Sequence, residues 1–595
     1  MSRADLNVAA IGNCQISALI DTRGRYVWTC LPRHDGDPVF CSLVNHDVDD
    51  GYTDIDLANF ATSEQRYRRN TAIVETVLHD SNGGVLRVVD FCPRFRRFGR
   101  MFRATTFIRL IEPMGGRPTI RLRVRPLCEH GARKPRVTVG SNHVRFEMGQ
   151  MTLRLTTDAP LTHLLEERPF TVSSPISMVF GPDETLMEAP ATVAHAMLER
   201  TERYWLDWVR GLAVPFEWQE AVIRAAITLK LCTYEDTGAV IAAMTTSIPE
   251  APNSGRNWDY RYCWMRDSYF TVQALNRLGA TRTMEAFLQY ITNIIETAGG
   301  GTLQPLYGIS GEPALQERTV ESLKGYRGMG PVRIGNEAYT QVQNDVYGAV
   351  VLAATQSFYD ERLEAPGDVW FFERLEKLGE HAVSLYDKPD AGLWEYRGRA
   401  RVHTFSAVMC WAACDRLARI ATRLGMQPRA REWRERADTL HRSILERGWD
   451  EKQKCFTEAF GEPALDASLL LLQELGFLPA DDPRFVSTVA AIEKALLRGG
   501  RYLVRYHGAD DFGVPENAFN FCSFWYINAL AITGRREEAR ELFEHMLSLR
   551  SPQGLMSEDL DPRTGELWGN HPQTYSMVGI INSAMRLSRP WEDAL

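Results

Sequence analysis

Long apolar runs are missing from this 595-residue sequence. The densest, Leu469–Leu472, is four residues, against the roughly twenty that a helix needs to cross a bilayer. The N-terminal stretch through Gln15 has no apolar run long enough for a signal peptide, so the expected location is cytoplasmic. An excess of positive charge is missing too. The 68 Lys and Arg are outnumbered by 76 Asp and Glu, leaving a net charge of −8. A protein that grips nucleic acid phosphates usually carries the opposite balance. The one basic run, Arg94, Arg96, Arg97, Arg100 and Arg103, reads as a solvated strand or loop face. Cysteine pairs at metal or redox spacing are also absent. The 11 cysteines are odd in number and scattered, with no CxxC, which argues against a disulfide framework or a zinc site. Cys410 and Cys414, one helical turn apart, read as small core residues. No motif for a metal or an organic cofactor is found. The composition suits a neutral, hydroxyl-rich small molecule better than a charged polymer or a membrane.

The patterning divides the chain in two. Residues 1–190 carry short segments rich in Val, Ile, Thr and aromatics: Arg25–Leu31, Ala72–Leu78, Val85–Phe91, Thr105–Ile111, Thr119–Val124 and Met151–Thr156. From Ile120 to Val124 apolar residues alternate with arginines, the period of a half-buried strand. Ser81–Gly84 and Pro113–Gly116 read as tight hairpin turns. Many short strands at this spacing predict an antiparallel β-sandwich, whose unpaired edge would leave room for a homo-oligomer. Residues 191–214 form a linker helix with a proline at its leading edge. Residues 215–595 are mostly helical. Cys410, Cys414, Leu417, Ala421 and Leu424 make one apolar stripe, and Gly425 follows as a helix stop. Twelve such helices are expected to start near Glu217, Cys263, Arg282, Glu337, Asp368, Phe405, Arg429, Asp466, Pro483, Ala518, Arg536 and Gln573. Six consecutive hairpins of this kind predict an (α/α)6 barrel; a superhelical stack would give the same count.

Long inter-helix loops, near 299–336, 388–404, 498–517 and 550–572, carry Trp, Tyr, Arg, Asp and Glu, as binding loops on a rigid scaffold do. Three segments stand out. Asn257–Asp267 packs Tyr260, Trp264, Arg266 and Asp267 close together. Sugars offer flat C–H faces to aromatic rings and hydroxyls to charged groups; a buried aromatic helix start with a local ion pair is the ordinary alternative. Gly392–Arg397 places Glu395 between Trp394 and Tyr396, where desolvation would keep a carboxyl protonated as a general acid requires. A solvated loop glutamate is the alternative there. Gly554–Gly565 offers carboxylates at 558, 559 and 561, of which one could be a general base; turn formation or helix capping would also use them.

These segments resemble glycoside hydrolase family 15, the glucoamylases, glucodextranases and bacterial-type trehalases. Ile11–Cys14, Leu31–Arg33 and Asp37–Phe40 resemble the β-sandwich that precedes the barrel in prokaryotic members. The resemblance implies that Tyr260, Trp264, Arg266 and Asp267 hold the non-reducing glucose. It implies that Leu393-Trp394-Glu395 is the general-acid motif and that Ser557-Glu558 carries the general base. It makes Arg505, ahead of Trp525, part of another hydroxyl-binding segment. Gly325–Gly328, Gly335-Asn336 and Gln343–Gly348 resemble the lining of the site. Two places depart from the family pattern: His403-Thr-Phe-Ser406, and Ser576-Met577 where a Ser-His pair is expected. The implied activity is an inverting, exo-acting α-glucoside hydrolase of glucoamylase type that needs no cofactor, the alternative being a trehalase or isomaltose-type glucohydrolase. An inverting phosphorylase would not need Glu558, and a non-enzymatic sugar-binding protein would need neither glutamate.

Overall fold

The computed structural model describes residues 4–299 and 302–593. Positions 300 and 301 of the loop expected at 299–336, like residues 1–3 of the N-terminal stretch, lie outside the described residues. The first part of the chain is β-rich. One antiparallel sheet runs in the order Val8–Gly12, Ser17–Asp21, Tyr26–Leu31, Tyr52–Leu57, Thr119–Arg125, Phe170–Thr171, with Asp37–Phe40 paired to Tyr26–Leu31. A second runs Arg136–Val139, His143–Glu147, Thr152–Thr157, Ile176–Pro182, Phe107–Gly115, Val85–Phe91, Val74–Asp80, Phe60–Tyr67. Their facing residues, among them Ile11, Ile20, Phe40, Leu122, Val88, Phe107 and Leu155, share one core.

The first strand shows why its sequence is apolar without alternation. Ala9 and Ile11 face the core between the sheets, while Val8 and Ala10 face the helical part. A strand buried on both faces reads as a continuous apolar run. Trp28, 1% exposed, crosses the same boundary and donates its indole N–H to Met244 O at 2.7 Å.

Ser81–Gly84 is a hairpin turn joining two paired strands. Pro113–Gly116 is not. The strand Phe107–Gly115 shifts register between Pro113 and Gly115, Gly116 turns at φ +64°, and the chain passes to the other sheet. Glycines tolerate that backbone wherever the chain goes next. Arg94 also departs from the solvated face expected of the basic run: it is 1% exposed, bonded to Asn13 O and paired with Glu235.

The helices are α1 (Leu161–Leu165), α2 (Pro190–Arg210), α3 (Gln219–Leu231), α4 (Met265–Arg277), α5 (Thr281–Thr297), α6 (Asp345–Thr355), α7 (Val369–Leu385), α8 (Thr404–Arg423), α9 (Gln427–Arg447), α10 (Pro483–Leu496), α11 (Asn520–Ile532), α12 (Arg536–Ser548) and α13 (Thr574–Leu587). Helix α2 spans the two parts. Ala194 and Leu198 lie on Val89, Phe91, Ile108 and Leu110 of the second sheet, while Trp205 and Val209 join the helical core.

In the helical part α4 packs on α6, α6 on α8, α8 on the 3-10 turn Ala467–Leu471, that turn on α11, α11 on α13, and α13 back on α4. Helices α5, α7, α9, α10, α12 and α3 lie against this inner set. Sequence separates the two sets. Every residue of α6 from Asp345 to Ala354 is buried, and beyond Asp345 the helix is apolar on all sides. Helix α9 buries only Ala430, Trp433, Ala437, Leu440 and Ile444, one stripe on a charged cylinder. The α-helix expected near Asp466 is instead a short 3-10 turn; its leucines are buried on all sides and the chain turns at Gly476, φ +80°. The helix expected near Glu337 divides into a 3-10 turn, Glu337–Thr340, and α6.

Candidate active site

The inner elements begin at one end of the helical part, and a cavity opens there. Arg266 and Asp267 are in the first turn of α4, Phe519 caps α11, and Gln573 and Tyr575 open α13. The Gln573 side chain accepts from Ser576 N, which fixes that helix start. Helix N-termini direct partial positive charge toward this space and favour carboxylates in it. The space enclosed by its lining, counted with the open mouth, is about 850 Å³.

Tyr260, Trp264, Arg266, Asp267, Leu393, Trp394, Glu395, Arg505 and Glu558 all line this cavity. The structure therefore brings together segments up to 298 residues apart, the separation of Tyr260 from Glu558. Trp525 does not line it. It is 3% exposed on α11, behind Trp394 (ring centroids 6.2 Å) and against Phe521 (4.7 Å). The sugar contact expected of Trp525 is not available from that position; its ring supports Trp394.

One aromatic pair links the two glutamates. Tyr260 and Trp264 stand edge to face at 5.4 Å. The Tyr260 hydroxyl donates to Glu558 Oε1 at 2.7 Å, and the Trp264 indole N–H donates to Glu395 Oε1 at 2.6 Å. Glu395 Oε1 also accepts from Arg266 and from Gln343 Nε2, both at 3.3 Å. Its setting is thus the reverse of the apolar one expected from its neighbours in sequence. Trp394 turns away to Asp466 Oδ2 (2.5 Å), and Tyr396 stacks near His403 (5.8 Å). The backbone explains this. Glu395 sits at φ +60° in a turn closed by its N–H to Gly392 O, a conformation uncommon for a residue with a Cβ and one that clusters at functional sites. Gly392, φ +67°, is required beside it, since a Cβ there would meet the His403 ring at 2.7 Å.

Glu558 is 2% exposed, and its Oε2 makes no hydrogen bond to the described residues. Gly569 leaves room for it: a Cβ at that position would meet Glu558 Cβ at 2.7 Å and Oε2 at 2.9 Å. Burial pushes the Glu558 carboxyl above the ordinary range and the Glu250 carboxylate adds to the push, while Arg505 and the Tyr260 hydroxyl oppose it. Asp559, also buried, is raised for the same first reason. Burial raises Asp267 to about 6 against the pull of Arg266. Arg266 is itself saturated by Gln343 (2.8 Å), Tyr575 (3.1 Å) and Asp345 (3.2 Å).

A model of the glycosyl hydrolases family 15 matches residues 218–585. The chain belongs to that family. As a family 15 protein it is 33% identical to a trehalase of Mycobacterium tuberculosis over 98% of this chain and 90% of that one. It is 30% identical to a trehalase of Thermoplasma volcanium over 97% and 92%. A bacterial glucoamylase complexed with acarbose shares the fold, with TM-score 0.69 over 98% of this chain and 94% of that one at 14% identity. The chain is therefore a glycoside hydrolase with a β-rich N-terminal region and a helical C-terminal part. Among the described residues no helix is long and apolar enough to cross a membrane.

In this family 15 chain no local sequence signal marks the loop before Asn257. Glu250 lies there, 3% exposed, lining the cavity, bonded by the Trp258 indole at 2.9 Å and paired with Arg505. It sits between two prolines with no local signal. Asp466 and Tyr575 are unmarked as well, because their partners, Trp394 and Arg266, are 72 and 309 residues away. Of the two departures from the family pattern, His403 and Ser406 both bond Asp390. Ser576 donates to Ser557 O at 2.7 Å beside Glu558.

Proposed function

We propose that the chain is an inverting α-glucosidase that hydrolyses trehalose, with Glu395 as general acid and Glu558 as general base. One observation carries this. The two carboxyls line one cavity, each anchored through a single oxygen to opposite members of the Tyr260–Trp264 pair, and Glu558 keeps Oε2 unengaged.

Protonated Glu395 gives its proton to the glycosidic oxygen as the C1–O bond breaks. Ionised Glu558 takes a proton from the water whose oxygen bonds to C1 from the opposite face, so one glucose leaves with inverted configuration. Pairs that work this way stand roughly 6.5–9.5 Å apart to admit the water. Tyr260 and the surrounding carboxylates favour the positive charge developing on the sugar ring. Asp267 and Arg505 hold its hydroxyls, and Arg266, already engaged by Gln343, Tyr575 and Asp345, fixes the wall around it.

The glucoamylase-type activity implied by the motifs gives way to trehalose because the curated relatives that cover nearly the whole chain are named trehalases. The order of contacts around the inner helices supports an (α/α)6 barrel over 215–595, following a sandwich over 1–190 and a linker over 191–214. A screen of trehalose, maltose, isomaltose and soluble starch, with glucose as readout, tests the reading. Trehalose as the preferred substrate is expected; a clear preference for starch would refute it. Consumption of phosphate during turnover would point to a phosphorylase instead.

A further inference from the structure

The exposure of the lining gives the cavity a direction. Asp267, Glu558 and Gln573, at 7%, 2% and 1% exposed, are among its buried lining residues. Phe512, at 36% exposed, stands at its mouth. Glu395, with its side chain 24% exposed, lies between. A general acid protonates the oxygen joining the two parts of the substrate. Groups deeper than Glu395 therefore face the glucose that takes up water, and groups further out face the part that leaves.

The outer groups form a wall. Trp258 and Phe512 meet edge to face at 5.1 Å, and the Arg397 guanidinium lies over the Trp258 ring at 4.5 Å. Arg397 is held by Glu317 at 2.7 Å, which also holds Arg333 at 2.9 Å. The exposed segment 507–514 supplies Asp510, Asp511 and Phe512 to the cavity lining and is strapped to both flanking loops. Arg256 bonds Asp510 Oδ2 at 2.6 Å and Gly513 O at 2.8 Å, and the Arg397 backbone N–H donates to Asp511 Oδ2 at 2.8 Å. Gly398 permits that approach, since a Cβ there would meet Asp511 Oδ1 at 2.2 Å. With the Arg397 and Arg333 guanidiniums over the Trp258 ring, Phe512 offers the apolar surface and Arg397 the donors for one further pyranose.

We infer that Trp258, Arg397 and Phe512 form the leaving-group wall, and that the strap 507–514 limits the substrate to a single ring beyond the bond cleaved. The inference rests on the hydrolase reading above. Its test compares wild type with Phe512→Ala and Arg397→Ala, each checked for folding by circular dichroism, in steady-state kinetics on trehalose and maltotetraose. Wild type should favour trehalose strongly. Both variants should raise KM for trehalose and increase the kcat/KM ratio of maltotetraose to trehalose about tenfold or more, the size of a lost pocket contact. Ratios and KM within about twofold of wild type in both variants would overturn the wall and the limit while leaving the hydrolase reading intact. Equal cleavage of both sugars by wild type would overturn the limit. A wild type that cleaves neither sugar would overturn the hydrolase reading, and this inference with it.

Discussion

Replacing Tyr260 with phenylalanine removes one hydroxyl and leaves the ring against Trp264. The lost bond is the 2.7 Å donation to Glu558 Oε1. A hydrogen bond to a charged group contributes about 1.5–3 kcal/mol. This one favours the ionised carboxylate, so its loss favours the protonated form. At about 1.36 kcal/mol per pKa unit, Glu558 should titrate about one to two units higher in the variant. Burial already holds this group above the ordinary carboxylate range. A general base must be ionised, so the acidic limb of the kcat/KM profile reports its titration in the free enzyme. That limb should therefore move to higher pH by about one to two units in Tyr260→Phe. The assay is kcat/KM for trehalose from pH 4 to 9 in both proteins. A limb that stays in place, or moves to lower pH, would refute the assignment of Glu558 as the base held by Tyr260.

Glu250→Gln should shift the same limb the other way, since it removes a charge that pushes Glu558 up and frees Arg505 to hold it down. Glu558→Gln should lower kcat by about a thousandfold or more yet raise Tm by roughly 2 °C or more. A carboxyl raised on folding stabilises the fold below its unfolded pKa and loses that contribution as pH rises through the folded one, so the Tm gain should grow with pH in calorimetry; a variant melting below wild type at pH 9 would contradict this. Asp466→Ala leaves the Trp394 indole unpaired beside the Glu395 turn and should cost about tenfold in kcat for a loss near 1.4 kcal/mol, with KM little changed. Asp466→Asn, which keeps an acceptor, should recover most of that loss. Trp28→Ala should destabilise the fold by about 3–5 kcal/mol in denaturant titration, as truncation of a fully buried indole does.

Local pattern made much of this protein legible. Alternation marked the strands around Ile120–Val124, and the capping residues Asp368, Asp482 and Gln573 sit where the helices were expected to start. Glu395 stood out between Trp394 and Tyr396, whereas Glu558 was separated from the neighbouring carboxylates at 559 and 561 only by the family resemblance. The failures share one cause. Whether Pro113–Gly116 closes a hairpin depends on which sheet receives the next strand, and the four residues do not encode that. Whether Glu395 lies among rings depends on where Trp394 and Tyr396 point, and a positive φ turned both away. Glu250, Asp466 and Tyr575 take their meaning from partners far along the chain.

The sequence by itself determined most of the elements and their periodicity, because propensity, capping and apolar spacing act over a few residues. Only the tertiary structure decided which carboxyls are buried with free oxygens, which arginine is already engaged, and that Trp525 stands behind the wall instead of in it. Those properties come from burial and long-range charge pairing, and neither exists until the inner helices bring their N-termini to one end.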